Sequence, residues 1–461
     1  MSITRRTVLS STLAAGGAVI GGRLAAAQGP HGGHAAPKKP APAHPAPGVA
    51  VPAAPRVLTR GRAVKGESYQ PVVMPNGWTL PFERRGGVKV FHLVAEPVDH
   101  TIAPGLDIQT WGYNGSTPGP LIEAVVGDRV RIYVENRLPE ATTVHWHGMF
   151  VPNGMDGAGG ITQDPIPPGK TYAYEFTLGR AGTFLYHPHY DEMVQIALGM
   201  AGMFVVHPRR GAGGRRVRDY GLIAHEWKIE PGARRPDPMA MNDFNVLTFN
   251  SVAFPATEPL IAEVGDLVRI RFGNLGPMDH HPIHLHGHAF EVVHTDGGPV
   301  ARAARWPETT VLVPVGSVRV VELTAGAPGD WPMHCHMTHH VMNQMGHRSA
   351  NLIGADVRGV DRDIGALVPG YMTMGQTGMA GMAGMALPRN AISMSGAPGP
   401  FGFIDMGGMF TLLKVRRRLD GTDDPGWYDH PSGSVAVEAT ADALARDRVG
   451  DPPRKKRARR P

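Results

Sequence analysis

Cysteine is nearly absent: Cys335 is the one thiol in 461 residues. An intramolecular disulfide is thereby excluded, and stability has to come from packing or bound metal. No apolar run reaches the roughly 18 residues a membrane span requires, so none is expected. Hydrophobic residues make up 42% of the chain, enough for sizeable cores in about two or three domains. The net charge of +6 comes from the tail, where Arg454, Lys455, Lys456, Arg457, Arg459 and Arg460 cluster. The body is therefore close to neutral, which argues against a nucleic-acid partner and makes the tail a solvated end.

The chain opens "MSITRRTVLSSTLAAGGAVIGGRLAAAQG", with Arg5 and Arg6 ahead of a short small-residue run. That pattern predicts a twin-arginine leader over residues 1–27 and export to the periplasm or beyond, with an ordinary secretory signal as the alternative. Residues 28–65 begin as a Pro/Ala/His tract too poor in large side chains to pack, and read as an extended linker. His31, His34 and His44 in that tract either chelate loosely or do nothing beyond solvation.

A repeat organises the rest. "PLIEAVVGDRVRIYVEN" at 120–136 returns as "PLIAEVGDLVRIRFGN" at 259–274. Within them Val130, Ile132 and Val134, and then Val268, Ile270 and Phe272, alternate with other residues at the period of a strand with one buried face. Downstream, "HWHG" at 145–148 answers "HLHG" at 284–287, and residues 169–189 align without a gap to 316–336, setting Glu175 against Glu322. Short strands between Gly/Pro-rich turns predict β-sandwiches. The copies differ at one decisive place, because Pro188 and Met193 stand where the second copy has Cys335 and His340.

Four histidine clusters recur: His145 with His147, His187 with His189, His281 with His284 and His286, and His334 with His336 and His340 around Cys335. On a strand, residues i and i+2 share a face, so Cys335 points away from His334 and His336 and two donor sites lie back to back. A thiolate, two imidazoles and a weak axial thioether suit a blue-copper centre. Cys335, His340 and Met345, with His281 arriving from another loop, fit that set. The remaining eight histidines form four pairs, sufficient for three further coppers with positions left open for oxygen.

With "YNGSTPGPLI", "HWHG", "TFLYHPH", "HPIHLHGHAF" and "HCHMTHHVMNQM" in this order, the chain over about residues 90–355 resembles the multicopper oxidases, a family that includes laccases and bacterial metal oxidases. The resemblance implies an all-β fold of two cupredoxin-like Greek-key β-sandwich domains. It implies a type 1 copper on His281, Cys335, His340 and Met345, and a type 2 copper on His145 and His284. A type 3 pair would sit on His147, His187, His189, His286, His334 and His336. Four coppers per chain are thus expected, with dioxygen as acceptor and a phenolic, amine or metal-ion donor. Asp156 resembles the family's acid that delivers protons to reduced oxygen. The second acid often found after the His-Cys-His motif is replaced by Met337 and Thr338, and Asp191 or Glu192 could substitute for it. His280, His288, His339 and His347 match no ligand position.

Only 92 positions separate His189 from His281, too few for a third cupredoxin between them. The family's two-domain members share the cluster between subunits, so a homotrimer is expected, with in-chain pairing of the two halves as the competing geometry. The domains read as 66–215 and 216–357, followed by a Met/Gly-rich segment with a packed strand over 358–415 and a basic, disordered tail over 416–461. Met372, Met374, Met379, Met382 and Met385 either handle cuprous ions or cover an apolar surface. The alternative to an oxidase is a periplasmic copper-tolerance protein that binds copper without turnover.

Overall fold

The computed structural model describes residues 67, 69–209, 217–230, 232–343, 367, 389–394, 396–421 and 423–450. The leader, the whole linker, Met345, the methionines from Met372 to Met385 and the last basic cluster lie outside the described residues. Nearly all the regular structure is β.

Each copy of the repeat folds into two facing sheets. In the first, Val88–Ala103 pairs in parallel with Arg129–Asn136, which pairs antiparallel with Thr171–Thr177. The facing sheet runs Ile122–Val125, Gly202–His207, Gly182–His187, His145–His147. The second copy repeats this order. Val217–Trp227 pairs in parallel with Leu267–Asn274, which pairs antiparallel with Ser317–Thr324. Facing them are Leu260–Glu263, Phe410–Arg416, Gly329–Cys335, His281–Leu285 and Thr310–Val313.

The repeated sequence repeats its contacts. Arg131 lies opposite Glu175 and Arg269 opposite Glu322 in the same register, each pair joined by a hydrogen-bonded ion pair. The alternating residues behave as their period requires. Val130, Ile132 and Val134 enter one core with Trp146 and Phe204, while Val268, Ile270 and Phe272 enter another with Met333 and Cys335.

A third core joins the two sandwiches. In Gly202–His207 every residue is buried: Phe204 and Val206 face the first core, whereas Met203 and Val205 meet Ile223, Val318 and Val320 of the second sandwich. A strand covered on both faces reads as an unbroken apolar run, as "MFVV" does. Each aliphatic side chain buried there contributes about 1.5–3 kcal/mol. Across the same seam Arg271 holds Asp219 in a bidentate pair, both bonds 2.7 Å, and donates to Thr183 Oγ1 of the first sandwich at 2.6 Å. Because the first sandwich covers the large sheet of the second, the outward face of the second copy's other sheet points away from it.

The strand Phe410–Arg416 sits between Leu260–Glu263 and Gly329–Cys335, the place Gly202–His207 holds in the first copy. The chain beyond it stays attached, with Arg416 paired to Asp330 at 2.7 Å and the Tyr428 N–H donating to Asp330 at 2.8 Å. The segment read as a solvated tail is thus tied down as far as Tyr428.

Candidate metal centre

Three groups of side chains stand out. The first is built on the antiparallel pair of His145–His147 and Gly182–His187, where His145 lies opposite His187. Trp146 and Tyr186 turn into the core, so the neighbouring histidines turn outward. Ring centroids of His145, His147, His187 and His189 lie 5.4–6.2 Å apart, and His147 Nδ1 is 3.2 Å from His187 Nε2. His145 Nδ1 bonds the Asp156 carbonyl and His187 Nδ1 the Pro188 carbonyl, both at 2.8 Å. Such bonds fix the ring and leave the Nε2 lone pair for a metal. These four rings line a cavity of about 510 Å³ that Gly276, Pro277 and Gly316 of the second sandwich close on the other side.

The second group copies the first. His284 lies opposite His334, and the rings of His284, His286, His334 and His336 are 4.9–5.8 Å apart. Here His284 Nδ1 bonds the Thr309 carbonyl at 2.7 Å and His334 Nδ1 the Cys335 carbonyl at 2.9 Å. His286 and His334 meet through their Nε2 atoms at 3.1 Å. Among the described residues no ring of the first group touches a ring of the second, so the two groups stay separate within the chain.

The third group is buried. His281 Nδ1, His340 Nδ1 and Cys335 Sγ form a triangle with sides of 3.2, 3.4 and 3.8 Å. His281 was expected from a separate loop, but it opens the strand His281–Leu285, which lies beside Gly329–Cys335 with Ile283 opposite Cys335. Strand parity explains the partition: His281 shares the inward face of Ile283 and Leu285, whereas His284 points outward. Burial holds His281 and His187 at about 3, so both imidazoles are neutral and offer lone pairs. Burial also pushes the Cys335 thiol up to about 12, a proton that a bound cation would displace.

Residues 95–211 and 230–353 match two sequence profiles, each described as multicopper oxidase. The chain belongs to the multicopper oxidase family. Laccase-1 of Cryptococcus neoformans var. grubii is 30% identical over 223 residues, covering 42% of this chain and 36% of that protein. Copper resistance protein A of Pseudomonas syringae pv. tomato is 43% identical over 83 residues, 18% of this chain and 14% of the relative. This multicopper oxidase therefore spans well under two thirds of these curated relatives. Two solved structures align more broadly. The Blue Copper Oxidase from Nitrosomonas europaea has a TM-score of 0.54 at 26% identity, covering 73% of this chain and 88% of that one. The multicopper oxidase mgLAC has a TM-score of 0.54 at 28% identity, covering 75% and 91%.

Copper is the metal the family implies, and the buried triangle fits it. Donor atoms 3.2–3.8 Å apart surround a point roughly 2 Å from each, the length of a metal–nitrogen or metal–thiolate bond. Thiolate with two imidazoles is the donor arrangement of blue-copper sites. Around these groups, Asp156 Oδ1 lies 3.6 Å from His145 Nδ1, and Glu192 reaches His187 at 3.6 Å and His189 at 3.9 Å. His288 has a packing role, its ring edge-on to Trp331 and its Nε2 accepting the Gly326 N–H at 3.3 Å. His280 Nδ1 accepts the Val315 N–H at 3.1 Å.

Two carboxylates escaped the sequence reading. Asp279 Oδ2 lies 3.5 Å from His340 Nε2, and the buried Glu226 bonds the backbone beside it. The position of Asp279, two residues before His281, was the available signal. Glu226 left none, because nothing local brings it to the site.

Proposed function

We propose that this chain is an exported oxidase that takes single electrons from a phenolic, amine or metal-ion donor and reduces dioxygen to water. The observation that carries this reading is the convergence of His281, His340 and Cys335 on one buried point, with His334 and His336 flanking the same cysteine on the opposite face. Cys335 thus belongs to one donor set and is bonded through the backbone to the other. Copper at these residues would supply one-electron chemistry at the thiolate set and dioxygen reduction at the histidine set.

In this reading His281, Cys335, His340 and Met345 hold the type 1 copper, and His145 and His284 the type 2 copper. His147, His187, His189, His286, His334 and His336 hold the type 3 pair. Asp156, beside His145, supplies protons to the oxygen site. The carbonyl bonds to His145, His187, His284 and His334 orient each ring before any metal arrives.

Each chain carries two half-sites that do not meet, which supports a homotrimer in which the first half of one subunit faces the second half of its neighbour. The leader "MSITRRTVLSS" supports twin-arginine export to the periplasm. No helix among the described residues is long and apolar enough to cross a membrane. The match to a relative named copper resistance protein A favours a second reading, copper binding without turnover.

The test is reconstitution with copper, metal counting and oxygen uptake. About four coppers per chain, an intense blue thiolate band and oxygen consumption with phenolic, cuprous or manganous donors are expected. A colourless protein that binds copper and consumes no oxygen with any donor sinks the oxidase reading. A fully active monomer in sedimentation sinks the shared site.

A further inference from the structure

Glu226 is the last residue but one of the strand Val217–Trp227, it is 0% exposed, and no histidine cluster lies near it in sequence. Its Oε1 accepts the backbone N–H groups of Met278 and Asp279, the latter at 2.7 Å, and its carboxyl hydrogen-bonds the Asp279 side chain. Gly276 makes room for this reach, since a Cβ there would stand 3.2 Å from Oε1. The turn is held from its other side by Asn274, whose Nδ2 donates to the Asp279 carbonyl at 2.8 Å. The half-buried Asp279 side chain, fixed in this way, points Oδ2 at His340 Nε2 from 3.5 Å. His340 in turn presents Nδ1 to Cys335 Sγ at 3.4 Å.

The first copy supplies a control. Strand register sets Ala95 against Asn136 and Ala224 against Asn274, so the position of Glu226 is Pro97 in the copy that has no thiol. The asparagine turn itself is present in both, Asn136 donating to the Glu140 carbonyl at 2.8 Å. The turn therefore does not need a buried carboxylate to form. A fully buried acid is costly to desolvate and is retained where its hydrogen bonds serve geometry.

We propose that Glu226 is a positioning residue for the type 1 site, clamping the Met278–Asp279 backbone so that Asp279 holds the His340 ring with Nδ1 turned to the thiolate. The inference rests on the copper reading of His281, Cys335 and His340. Burial, reinforced by the neighbouring Asp279 carboxyl, raises the Glu226 pKa and keeps it protonated, so the amide of Gln is a close mimic in both shape and hydrogen bonding.

The experiment compares copper-loaded wild type, Glu226→Gln, Glu226→Leu and Asp279→Ala. Electron paramagnetic resonance and the midpoint potential of the blue centre are read beside steady-state oxidation of a phenolic donor. Glu226→Gln is expected to keep the wild-type spectrum and potential. Glu226→Leu and Asp279→Ala are expected to shift the copper hyperfine splitting and the potential in the same direction, with donor oxidation falling about 10- to 100-fold. Asp279→Ala replaces a half-exposed side chain, so it carries the test should Glu226→Leu fail to fold. A blue wild type whose Asp279→Ala form has an unchanged spectrum and potential overturns the inference alone. A wild type without a blue band overturns the copper reading beneath it.

Discussion

In the first copy of the repeat, the pocket that corresponds to the thiol site is closed by Gln195. Thr142, the counterpart of His281, donates to Gln195 Oε1 at 2.6 Å, and Gln195 Nε2 donates to the Ala141 carbonyl at 2.9 Å. In the second copy the same pocket holds two imidazoles and a thiol, and the acid after the asparagine turn faces His340 instead of Gln195. The outward histidine pairs, by contrast, are preserved in both, down to the carbonyls that orient them. One scaffold thus carries an outward histidine group twice and an inward donor set once. Duplicated strand order conserves what depends on sheet register, while the inward pocket depends on a few side chains that can be exchanged for an amide plug.

That contrast can be broken in stages. The largest effect is expected from Cys335→Ser, which should abolish the blue band and donor oxidation while copper remains at the outward histidines. Retained turnover with organic donors would place electron uptake elsewhere. Next, His187→Ala and His334→Ala should each be inactive alone, yet regain oxygen uptake when co-expressed, because hybrid assemblies join an intact first half to an intact second half. No regain on co-assembly would mean that the two halves pair within one chain.

A smaller effect concerns the seam. Burial alone would raise the pKa of Asp219, but Arg271 and Arg269 outweigh it and hold the carboxyl below its ordinary range. The first copy has Val90 at this register position and Tyr133 where the second has Arg271, so it lacks this ion pair. Asp219→Ala leaves that arginine unpaired and should destabilise the protein by about 3–5 kcal/mol in denaturant titration. The smallest effect is expected from Gln195→Leu. Leaving the Thr142 hydroxyl only the Thr143 carbonyl at 3.3 Å should cost about 1–3 kcal/mol with the visible spectrum unchanged, and a bleached blue band would show the two pockets to be coupled.

Much of this was legible along the chain. The period-two alternation of "VRIYV" and "VRIRF" predicted half-buried strands, and these residues enter the two cores. Parity also forecast that Cys335 and its neighbours face opposite ways. Two things were not legible. His281 was expected on a loop, yet it opens a strand in which Pro282 is accommodated and the next residues alternate inward and outward. Glu226 and Asp279 carried no motif, since the clamp they make joins segments 52 and 53 positions apart.

By itself the sequence determined the donor types, their pairing on alternate faces and the duplication, because strand period and ligand chemistry are local properties. Only the tertiary structure decided which donors meet. The seam through Met203, Val205 and Val320 sets the first sandwich against the large sheet of the second. The outward histidines of the second copy therefore face away from those of the first, and long-range packing, which no local pattern encodes, keeps the two histidine groups of the described chain apart.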